Sequence, residues 1–367
     1  MALEEIKTQS SSGGFWHSLK GALAGFFIIL PLSFVVVYFA SQREQASEVL
    51  KNATPYQKGM MLKKNQPVYI TGKIKTNPIG DDLFLKPGNY LIIHRNSEIY
   101  AYQSEKRSEK FKEGDQEKTK IIYECKLKWV SNPEESIQGK GCESENKKNP
   151  KKTINNSSNS IQPSIVFHDS IMHIQGEISY AANMPQLNIT SQDLSETFYQ
   201  SENYFYKSQN CIQSPYLGCE RIYYTGIAYD PQKDYTAIAS VENDKIIPFV
   251  SKSGSKYIKV GEGNFKEVIT SLEKSDAKTT LILFVTSVIL FWVGTIMILN
   301  PLLYLVEYIP VVGKFGAGVI RFILLFFAII LMGITFLVIE YWYFVLILGI
   351  LLILALVYWL RKKKANA

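Results

Sequence analysis

The residues able to do chemistry are few: four histidines and four cysteines in 367 positions. His168 and His173, in HDSIMH, are the only histidines close in sequence. On a strand a separation of five puts the two rings on opposite faces, which is wrong for holding one metal ion between them. Both therefore read as surface or half-buried polar groups, and no metal or other cofactor is expected. The chain carries no Gly-x-Ser-x-Gly elbow, phosphate-binding P-loop, His-Glu-x-x-His or paired Cys-x-x-Cys, so acyl transfer, nucleotide chemistry and zinc hydrolysis lack their usual residues. Acids are numerous but lie among lysines, as solvated faces do. The expectation is a protein with no catalytic residues, not an enzyme.

Cys125, Cys142, Cys211 and Cys219 all fall in one long stretch between apolar runs. An even count fits disulfides in an oxidising space. Pairing neighbours in sequence would join Cys125 to Cys142 and Cys211 to Cys219, although three pairings are open.

The elements that position these residues are set by hydropathy. Charge nearly vanishes over 22–39, 281–299, 319–339 and 342–360, and each run approaches or meets the about 18 to 20 residues needed to cross a bilayer core. The reading is an α+β membrane protein with four transmembrane helices, one N-terminal and three C-terminal, and a large β-rich extracytoplasmic domain inserted between helices 1 and 2. The boundaries are a cytoplasmic N-terminus at 1–21, helix 1 at 22–39, the extracytoplasmic domain at 40–278 and helix 2 at 279–299. A cytoplasmic interfacial connector at 300–318, helix 3 at 319–339, helix 4 at 342–360 and a basic tail at 361–367 complete the chain. The first run resembles a cleaved signal in having Lys20 before it and Ala40 at its end, but Tyr38 is a poor residue for such a cut, which favours an uncleaved anchor. Pro31 is expected to kink it.

Lysine and arginine near the runs orient them. Lys7, Lys20, Lys314, Arg321 and Arg361, Lys362, Lys363 and Lys364 would share one side, so both termini are placed in the cytoplasm, in the inner membrane of a bacterium or the ER and inner nuclear membrane of a eukaryote. Lys314, Arg321 and the 361–364 cluster are read as topology and lipid-headgroup residues. The net charge of +7 arises largely from this cluster and scattered lysines, without an arginine-rich helix, so no nucleic-acid partner is expected.

Within 40–278, SQREQASEVLKN at 41–52 reads as a continuation of helix 1. Alternation predicts strands at 67–75, 90–95 and 97–111, a turn at 113–115, and a partner strand in TKIIYECKLKWV. IMHIQGEISY at 171–180 and RIYYTGIAYD at 221–230 read as strands. TAIASVENDKIIPFV reads as a hairpin turning at Asn243 and Asp244, and 264–277 as a helix leading into the second span. Residues 139–160 hold almost nothing that could pack and read as an exposed loop. VYITGKIKT, MHIQGEISY and IYYTGIAYD each place a glycine inside a strand. Asn52, Asn155, Asn156 and Asn188 begin glycosylation sequons, which in an Asn-rich chain arise readily by chance.

Inside the spans the polar content is Thr286, Ser287, Thr295 and Thr335, thin for an ion relay. Just before LYLVEYIPVVGKF, Asn300 and Pro301 are expected to close the second span, followed by a short interfacial helix ending at Pro310 with Glu307 turned toward water.

Several segments are similar to the LUMA family, also called transmembrane protein 43: ITGKIKT at 70–76, EIYAY at 98–102, KKNP at 147–150, IIPFVSKSG at 246–254, GNF at 263–265 and LYLVEYIPV at 303–311. PFVSKSG and LVEYIP are the most specific. The resemblance marks Gly72, Pro248, Phe249, Lys252, Ser253, Gly254, Glu307 and Pro310 as interaction candidates. It implies an integral protein of the ER and inner nuclear membrane in animals that self-associates, organises membrane-protein complexes and has no established enzymatic activity. The Asn/Lys-rich insertion at 142–160 departs from the family, and the composition looks bacterial. The function expected is a scaffold contacting the bilayer, itself and other membrane proteins; the alternative is a channel-like oligomer or an extracytoplasmic ligand sensor.

Overall fold

The structure, a computed structural model, describes residues 3–8, 19–63, 65–113, 116–134, 148–168, 170–181, 184–307, 313–343, 347 and 350–351. The chain divides into a β-rich unit, Met1–Gln9 with Ala46–Glu273, and a helical unit, Ser10–Gln45 with Lys274–Ala367.

The first sheet of the β-rich unit is built on strands β2 (Thr54–Pro55), β3 (Val68–Lys75), β7 (Ser164–Phe167), β8 (Ser170–Ile174), β9 (Ser179–Tyr180), β13 (Asp234–Glu242), β14 (Lys245–Ile247) and β17 (Lys259–Glu262). Because β13 pairs with both β3 and β14, the pairings β3, β7, β8, β14 and β13 close a ring of five strands. Val68, Ile70, Ile165, Met172, Ile174, Ala237, Ala239 and Ile246 form one buried cluster from those strands. Each of the valine, isoleucine and methionine side chains among them contributes about 1.5 to 3 kcal/mol on burial. Asn243 and Asp244 turn β13 into β14 with φ of 50° and 58°, as the sequence predicts for a tight hairpin. Gly72 lies where β7 crosses close, and a Cβ there would collide with the Val166 carbonyl oxygen.

The second sheet runs β1 (Leu3–Thr8), β5 (Gln116–Val130), β4 (Tyr90–Glu113), β12 (Glu220–Ala228), β11 (Tyr204–Tyr206) and β10 (Tyr199–Ser201), with β6 (Ser157–Ser160) also on β4. The two strands expected at 90–95 and 97–111 are one strand of 24 residues, because the period-2 alternation never breaks between them. Leu3–Thr8, within the segment expected at 1–21, pairs with Lys118–Tyr123 at the edge of this sheet. An edge strand offers unpaired backbone groups to any extended segment, and such pairing needs no side-chain code.

The expectation of an exposed loop at 139–160 is corrected from residue 148 on, since 135–147 lie outside the described residues. Ile154 is buried in a core with Ile93, Ile222 and Tyr224. Asn149, from the KKNP segment, is buried and bonds both N and O of Tyr102 at 2.8 and 2.9 Å. Buried Glu220 accepts the Thr153 amide and its hydroxyl, and Ser157–Ser160 pairs with Ile92–Arg95. Polar residues dock here through hydrogen bonds rather than apolar area, so composition did not reveal it.

In the helical unit, a π-helical turn at Gly25–Ile29 leads into α1 (Leu30–Gln42). The wide turn precedes Pro31, which lacks an amide to continue the α ladder. Extension of this helix through 52 is corrected: Arg43 adopts an extended ψ of 126°, and α2 (Ala46–Leu50) begins afresh in the β-rich unit. After the short α3 (Asn210–Gln213) of the β-rich unit comes α4, Phe265–Glu307, which starts in that unit, enters the helical unit at Lys274 and carries on through Pro301. Asn300 and Pro301 therefore do not close it as expected. α5 spans Gly313–Glu340. Gly25 and Gly294 bring two helices together, since a Cβ on Gly25 would lie 2.9 Å from the Gly294 carbonyl oxygen. The Trp292 indole donates to the Arg321 carbonyl oxygen at 2.9 Å, and Val37, Val288, Phe291, Ala328 and Met332 are buried together. Three helices among the described residues are long and apolar enough to cross a membrane; the expected fourth, 342–360, lies largely outside the described residues.

Candidate interaction face

The strand registers of the second sheet assemble a row of large side chains on one face. Along β12 burial alternates, with Glu220, Ile222 and Tyr224 buried and Arg221, Tyr223 and Thr225 half-exposed. Glu98 on β4 and Tyr206 on β11 are the cross-strand partners of Arg221. Tyr100 on β4 pairs with Trp129 on β5. Cross-strand neighbours of this kind lie close enough to touch.

Arg221 is the centre of the row. Its guanidinium carbon lies 4.4 Å from the Trp129 ring centroid and 3.9 Å from that of Tyr204, inside the range for cation–π attraction. Nε and Nη2 both reach Glu98 Oε2, at 2.7 and 2.6 Å, and Nη1 donates to the Tyr206 hydroxyl at 3.5 Å. Trp129 contacts Tyr100 and Tyr206 with centroids 5.2 and 5.7 Å apart. The Cys211–Cys219 disulfide packs in the same cluster as Tyr206 and closes the segment after β11. A half-exposed arginine held by two rings and a carboxylate is a rigid recognition element, because little rotamer freedom remains to be lost on binding.

The opposite face of β4 holds a second arginine in a different setting. Arg95 Nη1 donates to Asp81 Oδ2 at 2.5 Å, with side chains 4% and 1% exposed. Asp81 also accepts the Tyr224 hydroxyl at 2.8 Å and the backbone amides of Phe84 and Leu85. Burial alone would raise the Asp81 carboxyl, but those amides, the Tyr224 hydroxyl and the guanidinium together hold it below the usual carboxylate range. Burial, with the Asp81 charge beside it, pushes the Tyr224 hydroxyl up. This network fixes the 79–88 segment on the sheet.

The residues that sequence reasoning marked fall elsewhere. The ring of Pro248 packs against Gly176, and Phe249 pairs with Tyr257 in a two-stranded ribbon of β15 (Phe249–Val250) and β16 (Lys256–Tyr257). Ser253 bonds Ser251 and Ser255 in the turn of that ribbon. Lys252 is exposed, and Gly254 supplies the turn with a φ of +89°. Gly72 lies in β3, in the other sheet. Glu307 ends α4 and Lys314 lies in the first turn of α5. Pro310, Cys142, Arg361, Lys362, Lys363 and Lys364 lie outside the described residues. Cys211 pairs with Cys219 as expected, and Cys125 is also disulfide-bonded. Arg221 does not stand out in the sequence; the available signal was Trp129, a tryptophan in a strand of an otherwise charged hairpin.

A family model described as Transmembrane protein 43 matches residues 99–360. The Transmembrane protein 43 chains of Homo sapiens, Mus musculus and Pongo abelii are each 24% identical over 339 residues, covering 84% of this chain and 82% of theirs. No solved structure matches the chain.

Proposed function

Given that the chain belongs to the Transmembrane protein 43 family, we propose that it is a non-enzymatic membrane scaffold whose β-rich unit binds other membrane proteins or a second copy of itself. The observation that carries this reading is the Arg221 row: tryptophan, tyrosine and arginine, preorganised and half-exposed, are the residue types that dominate binding energy at protein interfaces. The β-rich unit would lie outside the cytoplasm, in a periplasm or an ER-type lumen. The Cys211–Cys219 disulfide supports that placement, since such bonds persist in oxidising compartments. The basic tail at 361–364 would then lie in the cytoplasm.

The test is crosslinking and affinity purification of the full chain from its native membrane, beside Arg221→Ala and Trp129→Ala. Reproducible co-purifying membrane proteins or a second copy, lost in both variants, are expected. Recovery of monomer alone from the wild-type chain would refute the scaffold.

A further inference from the structure

A second surface of the β-rich unit has a different chemistry. Lys58-Gly-Met-Met-Leu-Lys63 joins β2 to β3 as a short projecting loop. Met61 is 99% exposed and Met60 41%. Lys58 and Lys63 flank the two methionines and are exposed; among the described residues neither is paired with a carboxylate. Exposed adjacent apolar side chains ringed by cations are costly in water unless something covers them.

Their exposure is built into the loop. The Met60 amide bonds the Gln57 carbonyl at 3.1 Å, closing a turn at Gly59, whose φ of +82° a side chain would resist. Leu62 turns inward against the ring cluster. Beyond it, Asn65 clamps the loop base by accepting the Val250 amide at 2.7 Å and donating to the Val250 carbonyl. Lys58 Nζ reaches Ser170 Oγ at 2.9 Å, beside Ile171, another exposed apolar residue. Asp244 accepts the Tyr56 hydroxyl at 3.2 Å.

We propose that the 58–63 loop is a peripheral membrane contact, inserting Met60 and Met61 among lipid headgroups while Lys58 and Lys63 meet anionic phosphates. Two features favour lipid as the occupant. Charge is complementary to an anionic bilayer surface, and the unit joins the helical unit at three points, residues 9–10, 45–46 and 273–274, so a membrane is held at high effective concentration. Unbranched, polarisable methionine suits an irregular headgroup layer. The inference rests on the chain's being a membrane protein, not on the scaffold reading.

Its test uses the full chain carrying a nitroxide at Met61→Cys, one copy per nanodisc, so that no second copy or other protein can cover the loop. Discs contain phosphatidylcholine alone or phosphatidylcholine with phosphatidylglycerol, and a label at Glu202→Cys, on an exposed turn, is the aqueous reference. With the anionic lipid, the label at 61 is expected to be protected from a water-soluble nickel relaxant and exposed to oxygen. Lys58→Gln or Lys63→Gln should each lower the inserted-to-free ratio about fivefold, the worth of one lysine at an anionic surface. A label at 61 as aqueous as that at 202 in both discs would overturn the proposal, and so would insertion indifferent to lipid charge and to both lysine variants. Because the Met61 side chain is solvent-facing, its replacement leaves the core intact, and retained disulfide bonding confirms folding in every variant.

Discussion

Asp81–Arg95 and Glu98–Arg221 are chemically the same pair, and Arg95 and Glu98 lie three residues apart on one strand, facing opposite sides of one sheet. Arg95 and Asp81 are 4% and 1% exposed; Arg221 and Glu98 are 15% and 17% exposed. The inner pair satisfies its charges entirely within the protein, through three backbone amides, a tyrosine hydroxyl and the Asn155 carbonyl. The outer pair leaves aromatic faces at the surface. Identical ion-pair chemistry thus serves folding on one face and is free to serve recognition on the other, and the deciding variable is solvent access.

Breaking the inner pair should have the largest effect. Arg95→Ala leaves a buried carboxylate without its countercharge and is expected to cost about 3 to 5 kcal/mol, read as a lowered midpoint in denaturant unfolding of the purified full-length protein. Acid should act on the same network. The Asp81 carboxyl is depressed in the folded state, so its contribution is fully present above the ordinary value of about 4 and lost as pH falls through the folded value. Unfolding midpoints should therefore drop on acidification below that range, and Asp81→Asn should flatten the drop.

Next in size is the disulfide beneath the outer row. Its ends are 8 residues apart, and the loop-closure relation gives about 2.5 kcal/mol for opening a loop of that length. Cys211→Ser with Cys219→Ser should lower the midpoint accordingly and loosen Tyr206, so partner recovery should fall as well.

Arg221→Ala sharpens the contrast. It should cost no more than about 1 kcal/mol of unfolding free energy, as partly exposed pairs do, while abolishing co-purification. Equal destabilisation by Arg95→Ala and Arg221→Ala would erase the distinction between the faces. The smallest effect belongs to Tyr180, whose buried hydroxyl has no partner among the described residues and is pushed up to about 12 by burial. Tyr180→Phe should be neutral or stabilise by up to about 1 kcal/mol, visible as an unchanged or raised midpoint.

Where a periodic pattern and a burial requirement coincided, the sequence was easy to read. The apolar runs at 22–39, 281–299 and 319–339, the turn at Asn243 and Asp244, and the strand at 67–75 all carry their own signals. Helix ends were harder: Pro301 sits inside α4, whose neighbouring turns continue around the missing amide, and the bend at Arg43 has no proline or glycine to announce it. The 148–160 segment failed a composition test because Asn149, Thr153 and Asn156 dock by hydrogen bonds to β4 and β12, partners more than 40 residues away in sequence. Such bonds have no period.

By itself the sequence determined that this is a membrane protein of α+β class, because the length of an apolar run and the alternation of a strand are local properties. It also kept all four cysteines within one region, where the Cys211–Cys219 bond forms. Which arginine is buried and which is half-exposed, and that Trp129, Arg221 and Tyr204 meet at all, only the tertiary structure decided. Those three come from three strands, and their meeting depends on inter-strand register, which is fixed by the packing of whole sheets rather than by any short stretch of chain.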